Sequence, residues 1–199
     1  CTVDGLNLYS LERNDFDRFN TSNTNLPSDR VTSIFQSQEG LYWVGTIFGL
    51  ATGSQNLFLK FNAETSGLAS ESINAFGETQ DGTIWIGTDD GLERLDQKHL
   101  STRTINEHTI PAISNSTVMS LLGEGDILWI GTFSGGLNKF DTKKNTVTAF
   151  QHSRLDETTI GANGVTSIMR SSTGQLYVGT YGGGPVSYTH LRAHETTSH

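Results

Sequence analysis

The chain has 199 residues, enough for a sizeable core in one or two domains, with 34% hydrophobic and 17% charged residues, 22 Gly and 3 Pro. Its net charge of −8 argues against nucleic acid or an anionic membrane as partner, since both call for a basic surface. A single cysteine, Cys1, excludes an internal disulfide, and no apolar run is long enough to cross a membrane as a helix.

The chain opens in mid-repeat. Thr2-Val3-Asp4-Gly5-Leu6 aligns with Thr46-Ile47-Phe48-Gly49-Leu50 and with Thr88-Asp89-Asp90-Gly91-Leu92, so Cys1 takes the Gly position of a tag begun earlier. This partial unit, 1–25, carries two outer strands and closes on the aromatic Phe19. The first whole unit, 26–67, shows the full anatomy. Leu26 precedes the turn formers Pro27-Ser28-Asp29-Arg30, and a strand follows from Val31 with the small residue Ser33 two positions in. A Gly-bearing turn at Glu39-Gly40 leads into the tag Trp43-Val44-Gly45-Thr46, then a third strand after Gly49-Leu50 and a fourth ending at Phe61.

The same order recurs downstream. Unit 68–112 carries Ala75, Asp81-Gly82, Trp85-Ile86-Gly87-Thr88 and Leu92, with Ile105 as the weaker late residue. Unit 113–159 carries a first strand over 118–122 with Ser120, then Gly125-Asp126, Trp129-Ile130-Gly131-Thr132, Leu137 and Phe150. Unit 160–185 carries Ser167, Thr173-Gly174 and the relaxed tag Tyr177-Val178-Gly179-Thr180, and stops short of a further Leu at Gly184-Pro185. The tag threonines fall 42, 44 and 48 residues apart, a period at which one supersecondary unit stacks on copies of itself, most often as a propeller blade. Alternation puts Trp43 and Gly45 on one face of the second strand and Val44 and Thr46 on the other, with apolar groups on both. Sheets packed between two neighbours need that pattern. The sequence therefore predicts an all-β fold: a β-propeller fragment of about four four-stranded blades plus part of another. All three tryptophans sit at one repeat position, which assigns Trp43, Trp85 and Trp129 to inter-blade packing rather than to a ligand platform.

Residues 186–199 break the pattern and hold His190, His194 and His199. The run from Val186 to Thr196 resembles one reading frame of a transposase adapter used in sequencing libraries, so these residues are expected to be a non-native tail. Open blades at both ends would leave two unclosed faces, and a chain of this kind is expected to be marginally stable or to associate.

Stretches 26–50 and 68–92 follow the pattern Leu-Pro-Ser-Asp-x-Val-x-Ser-Ile, then Glu/Asp-Gly-x-x-Trp-Val/Ile-Gly-Thr-x-x-Gly-Leu, and Gly136-Leu137-Asn138-Lys139-Phe140-Asp141 continues it. This resembles the two-component regulator propeller repeat. The resemblance implies a periplasmic sensory module of a bacterial inner-membrane receptor, homodimeric in its full form, whose output is a histidine kinase or a diguanylate cyclase. Other domains of that receptor would be its partners. No phosphoacceptor helix, ATP-binding motif or Gly-Gly-Asp-Glu-Phe motif occurs in the sequence, so no enzyme activity, cofactor or metal is expected of this stretch.

Two other classes compete: first a protein-interaction or dimerisation scaffold with no small ligand of its own, and behind it an enzyme, a hydrolase or lyase, on a related propeller. Thr79-Gln80-Asp81-Gly82-Thr83-Ile84-Trp85 resembles the Asp-box turn of sialidases but lacks the spacer between Asp and Gly, and no arginine recurs at a fixed unit position. His99, His108 and His152 occupy outer-strand or linker positions unmatched between units, which favours solvated surface over a base or a metal ligand. Ligands of propellers bind where loops of several blades converge. One face would collect Phe48, Asp89, Asp90, Phe133, Ser134 and Tyr181 after the tags, and Asp29, Arg30, Asn115 and Asn163 before the first strands. Aromatic rings beside Asp, Asn and Arg suit a sugar ring and its hydroxyls. Ordinary loop composition, or contact with a neighbouring domain or a dimer partner, remains the alternative for this face. The Asp89-Asp90 pair could bind a cation or sugar hydroxyls, but its residue types favour a solvated polar turn.

Overall fold

The computed structural model describes residues 3–54, 57–96, 101–182 and 184–188. Cys1, His99 and residues 189–199, with the three histidines of the tail, lie outside the described residues. The strands group into consecutive antiparallel sheets, each a simple up-and-down meander. A two-stranded sheet comes first, β1 (Leu6–Ser10) with β2 (Asp15–Phe19). Blade 1 follows, made of β3 (Val31–Gln36), β4 (Tyr42–Thr46), β5 (Gly49–Ser54) and β6 (Leu57–Phe61), with a single helical turn α1 (Ala63–Ser66) in the linker after it. Blade 2 is β7 (Ile73–Glu78), β8 (Ile84–Thr88), β9 (Gly91–Asp96) and β10 (Ser101–Ile105). Blade 3 is β11 (Val118–Glu124), β12 (Ile127–Thr132), β13 (Leu137–Asp141) and β14 (Thr146–Phe150). Blade 4 has β15 (Val165–Arg170), β16 (Leu176–Thr180) and β17 (Gly184–Tyr188). This is the blade architecture of a β-propeller, and the sheets do not close into a ring.

Two boundaries differ from the sequence reading. The first strand of blade 3 runs on to Glu124 rather than stopping at 122, because Gly123 and Glu124 pair with Leu128 and Ile127 in a longer hairpin. The pattern does not stop at Gly184-Pro185 either. Residues 184–188 pair with β16, Val186 opposite Val178, so residues 186–188 extend the blade's ladder. An open edge of paired-strand geometry accepts any extended segment that follows it closely.

The core lies in the seams between blades. Trp43, Leu50 and Phe61 of blade 1 pack with Ile73, Ile84 and Ile86 of blade 2. Trp85, Leu92 and Ile105 of blade 2 pack with Val118, Leu128 and Phe140 of blade 3, and Trp129 with Val165, Leu176 and Val178 of blade 4. Leu6 and Phe19 of the first sheet pack on Val31, Val44 and Phe58. Every seam repeats one fill.

The tag residues explain themselves in this setting. A Cβ on Gly45 would lie 2.7 Å from Ile73 Cγ2, and on Gly87 or Gly131 it would lie 2.6 Å from Cγ1 of Val118 or Val165. Only hydrogen lets the next blade's first strand come so close. On Gly45, Gly131 or Gly179 the Cβ would also meet Oγ of Ser33, Ser120 or Ser167 in its own sheet, at 2.4, 2.2 and 2.2 Å. The threonine turns the corner. Thr46 Oγ1 donates to Gly49 O (2.7 Å), Thr88 to Gly91 O (3.0 Å) and Thr132 to Gly136 O (2.9 Å), while the same oxygens accept from the N–H of Phe48, Asp90 and Gly135. All three threonines are buried, and Thr180 is half-buried. Trp85 Nε1 donates to Thr79 Oγ1 and Trp129 Nε1 to Glu124 Oε2, whereas Trp43 Nε1 has no partner among the described residues. Tyr177, in the relaxed tag, is partly exposed.

Each first strand carries the same bulge. Val31 pairs with Thr46 and Ser33 with Gly45, leaving Thr32 extra; Asn74, Met119 and Thr166 are extra in the later blades. The bulge re-aims a side chain toward the neighbour. Thr32 Oγ1 donates to Ile73 O, and Asn74 Nδ2 donates to Val118 O at 3.0 Å.

Candidate functional site

The loop face is built by two kinds of segment: the turn after each tag and the residues that enter the next blade's first strand. Asp89, Phe133 and Tyr181 occupy one position, immediately after the tag threonine. The structure stitches them in order. Thr117 Oγ1 donates to Asp89 O at 3.0 Å, and Phe133 N donates to Thr117 O at 2.9 Å. Tyr181 N then donates to Gly164 O at 2.7 Å, and a Cβ on Gly164 would lie 3.0 Å from Phe133 O and 3.4 Å from Tyr181 Cβ. Thr117 and Gly164 are thus spacers that hold consecutive post-tag loops side by side. Phe133 is 63% exposed and Tyr181 82% exposed, so the arc presents rings rather than burying them.

The other sequence-selected residues divide by their partners. Phe48, 56% exposed, and the exposed Asp90 and Ser134 occupy the next position along and also face outward. Asp89 Oδ1 accepts from Asn74 Nδ2 at 2.9 Å, which ties that carboxylate to the bulge of its own blade. Arg30 is exposed and its guanidinium forms no ion pair among the described residues. Asn115 is half-buried, and its Oδ1 is buried without a hydrogen-bond partner. Asp29 and Asn163 are engaged in holding the chain. Asp29 accepts from Thr21 N (2.7 Å) and Thr21 Oγ1 (3.2 Å), and Asn163 Oδ1 accepts from His152 N (2.6 Å). Their backbone carbonyls accept from Gly5 N and Gly136 N across the seam. Both residues sit two before the first strand, and both receive the N–H two after the late aromatic. The equivalence shows a latch for the linker loop. His152 also contacts Ile160 O through Nδ1 at 2.8 Å, so this histidine belongs to the same latch, while His108 is exposed beside Glu107.

Sequence reasoning passed over a second latch, on strand three. Glu93 and Asn138 are fully buried one residue after Leu92 and Leu137. Glu93 Oε1 accepts from Ala69 N at 3.2 Å, and Asn138 Oδ1 accepts from Ser114 N at 3.0 Å. Each pins the segment that enters its own blade. In blade 1 the entering residue is Pro27, which has no N–H, and the strand-three residue is Ala51, which has no acceptor. That pairing of Pro with Ala was a readable signal. Burial pushes the Glu93 carboxyl above the ordinary glutamate range, against the bonds from Ala69 N, Thr104 and Thr102.

The opposite face carries a clamp between blades 3 and 4. Arg170 donates through Nε and Nη2 to the two carboxylate oxygens of Glu124, which also accepts from Trp129 Nε1 at 2.8 Å. The Arg170 bond, followed by that from Trp129, holds Glu124 below its usual range against the opposing effect of burial. Among the described residues no group of three or more His, Cys, Asp or Glu side chains is placed to hold a metal ion.

The sequence profile of the family "Two component regulator propeller" matches residues 25–48 and 67–90. No curated protein matches the chain. Among solved structures, the extracellular domain of BT4673 of B. thetaiotaomicron, described as a hybrid two component system, superposes with a TM-score of 0.78 at 21% identity over 93% of this chain and 24% of that one. The extracellular domain of BT3049 from the same organism gives 0.55 at 22% identity over 92% of this chain and 30% of that one. Virginiamycin B lyase from Staphylococcus aureus gives 0.68 at 13% identity, over 94% and 63%. The chain spans about a quarter of the length of the BT4673 domain it matches. At these identities the likeness is one of fold, and a fold shared by a sensor domain and a lyase assigns no chemistry by itself.

Proposed function

From a chain built of two-component regulator propeller repeats, we propose the ligand-sensing portion of a bacterial membrane signalling receptor, placed on the periplasmic side of the inner membrane and without catalysis of its own. Repeats matched to that family and a superposition on extracellular domains of two-component systems support this reading. The ligand is a carbohydrate or another small extracytoplasmic molecule, bound at the loop face. The observation that carries the site is the ordered arc Asp89–Phe133–Tyr181, spaced by Thr117 and Gly164, with two exposed rings held on backbone hydrogen bonds. Rings fixed in this way stack on a sugar without first being ordered. Asn115 Oδ1, buried and unpartnered, and Arg30 add an acceptor and a donor to the same face.

In mechanism, the ligand would favour one of two receptor arrangements by its difference in affinity for them. Other domains of the receptor, and a second copy in a homodimer, would read that difference. Titration of an oligosaccharide panel into the chain by NMR tests the site. Phe133→Ala and Tyr181→Ala should each weaken binding by about 0.5–1.5 kcal/mol while leaving the melting temperature within about 2 °C. Binding that ignores both substitutions would move the ligand elsewhere. An enzyme on this fold is the second reading, favoured by the likeness to virginiamycin B lyase; turnover of any panel member would establish it.

A further inference from the structure

A second site lies in the seam between the outer strands of blades 2 and 3, and none of the loop-face residues lines it. The row Trp85, Arg94, Arg103 runs straight across β8, β9 and β10, each residue directly opposite the next. Residues so placed share one face, with Cβ atoms about 5 Å apart. Both arginines are exposed and leave the sheet as direct cross-strand neighbours, and like charges in that relation destabilise a sheet. The other blades avoid the conflict. Blade 1 has Trp43, Thr52 and Leu59 in the same row, and blade 3 has Trp129, Lys139 and Thr148. There the single cation is occupied, because Lys139 Nζ lies 5.8 Å from the centre of the Trp129 ring.

The arginines of blade 2 open onto a groove of about 420 Å³ that the exposed Ile110, the partly exposed Pro111 and Lys143 also line. Among the described residues the carboxylates nearby are Asp81, Asp126 and Asp96, the last diagonal to Arg103 on the same strand face. Asp81 accepts from Thr79 Oγ1 and from the N–H and hydroxyl of Thr83, and Lys143 Nζ is paired with Asp126 Oδ2 at 2.8 Å. Asp81 is also near enough to Arg94 to feel its charge, whereas Arg103 has no carboxylate within 4.0 Å among the described residues.

We propose that this groove binds a small ligand carrying an oxyanion, a carboxylate or a sulfate ester, on the Arg94–Arg103 pair, with the body of the ligand against Ile110 and Pro111. Paired guanidinium groups match the two oxygens of such an anion, and the anion removes the repulsion that the empty sheet carries. Destabilisation without ligand and recognition of ligand have one cause, which the test exploits.

The 199-residue chain is melted in low-salt buffer with glucuronate, with inorganic sulfate and with glucose, and affinities are taken from NMR titration. The anions are expected to raise the melting temperature and glucose to leave it unchanged; a response to glucuronate alone assigns the carboxylate, to sulfate alone the sulfate ester. Arg103→Thr, which installs the residue of blade 3, is expected to melt higher than the parent without ligand and to bind the anion about tenfold more weakly. Arg103→Gln keeps the side chain's length and should show the same loss. Arg154→Gln, an exposed linker arginine, should behave as the parent. No response to either anion, or an equal response in the parent and in both Arg103 variants, overturns the proposal.

Discussion

Blades 2 and 3 share a framework and differ in where they put charge. Both use a tag glycine under the next strand, a buried threonine that closes the turn, and a polar residue one past the strand-three leucine that pins the entering segment. At that last position blade 2 has an ionisable Glu93 and blade 3 a neutral Asn138. In the cross-strand row blade 2 has Arg94 against Arg103, and blade 3 has Lys139 against Thr148. Blade 3 spends its own charges on the clamp to blade 4. The lesson is that positions constant between blades answer to packing against the next blade, and positions that vary are released for other work.

The largest expected effect separates two glycines of the first strands. A Cβ on Gly123 would overlap the backbone carbonyl of Glu78, which has nowhere to retreat, whereas on Gly77 it would meet the flexible end of Leu128 at 3.1 Å. Gly123→Ala should cost about 3 kcal/mol or more and Gly77→Ala about 1 kcal/mol. Equal urea midpoints for the two variants would refute this account of the seam.

Next come the turn threonines. Thr88→Val and Thr132→Val keep the volume but strip a buried carbonyl and an N–H of their partner, and each should lose about 1–3 kcal/mol. The two losses should be close, since each hydroxyl donates to a glycine carbonyl and accepts one turn N–H, although the blade 3 turn is one residue longer. A loss in one blade only would show that its turn is held by something else.

The strand-three latches should differ more subtly. Glu93→Ala and Asn138→Ala each leave a buried N–H unpaired, at a cost of about 1–2 kcal/mol. Only blade 2 adds a dependence on pH. The Glu93 carboxyl is raised by burial, so the folded chain holds a proton that the unfolded chain has released, and stability falls as pH rises from the ordinary glutamate value through the raised one. Glu93→Gln should therefore be more stable than the parent at neutral pH and should lose that slope. A parent whose stability rises through this window by the same amount as the Gln variant would rule the effect out.

The smallest effect is expected at the clamp. Glu124 is held low by Arg170, so its contribution is present above the ordinary glutamate value and fades as pH falls through the lowered one. Both side chains are partly exposed, and Glu124→Gln should cost less than about 1 kcal/mol, shrinking in high salt. A cost unmoved by salt would mean that the bond to Trp129, rather than the charge, carries the contribution.

Much of the blade was legible because its demands are local and recur. The strand β3 starts at Val31, where the sequence reading places it. The extension of β11 to Glu124 was not legible, since a longer hairpin leaves the same apolar alternation behind it. On the loop face, the set of exposed residues was read from position, but their partners were not. Asp29 and Asn163 resemble free polar groups in sequence, yet each receives an N–H from a residue eight or eleven positions earlier. Glu93 drew no expectation from the sequence, and the incoming Ala69 segment makes it a buried acceptor.

The sequence by itself determined the repeat, the order of strands in each blade and the three tryptophan positions, because a period of 42 to 48 residues and an alternation of two are properties of the chain alone. The tertiary structure decided which polar residues latch loops and which face outward, and it set Arg94 beside Arg103. Those outcomes depend on which segments meet across a sheet or a seam, and no spacing along the chain encodes that meeting.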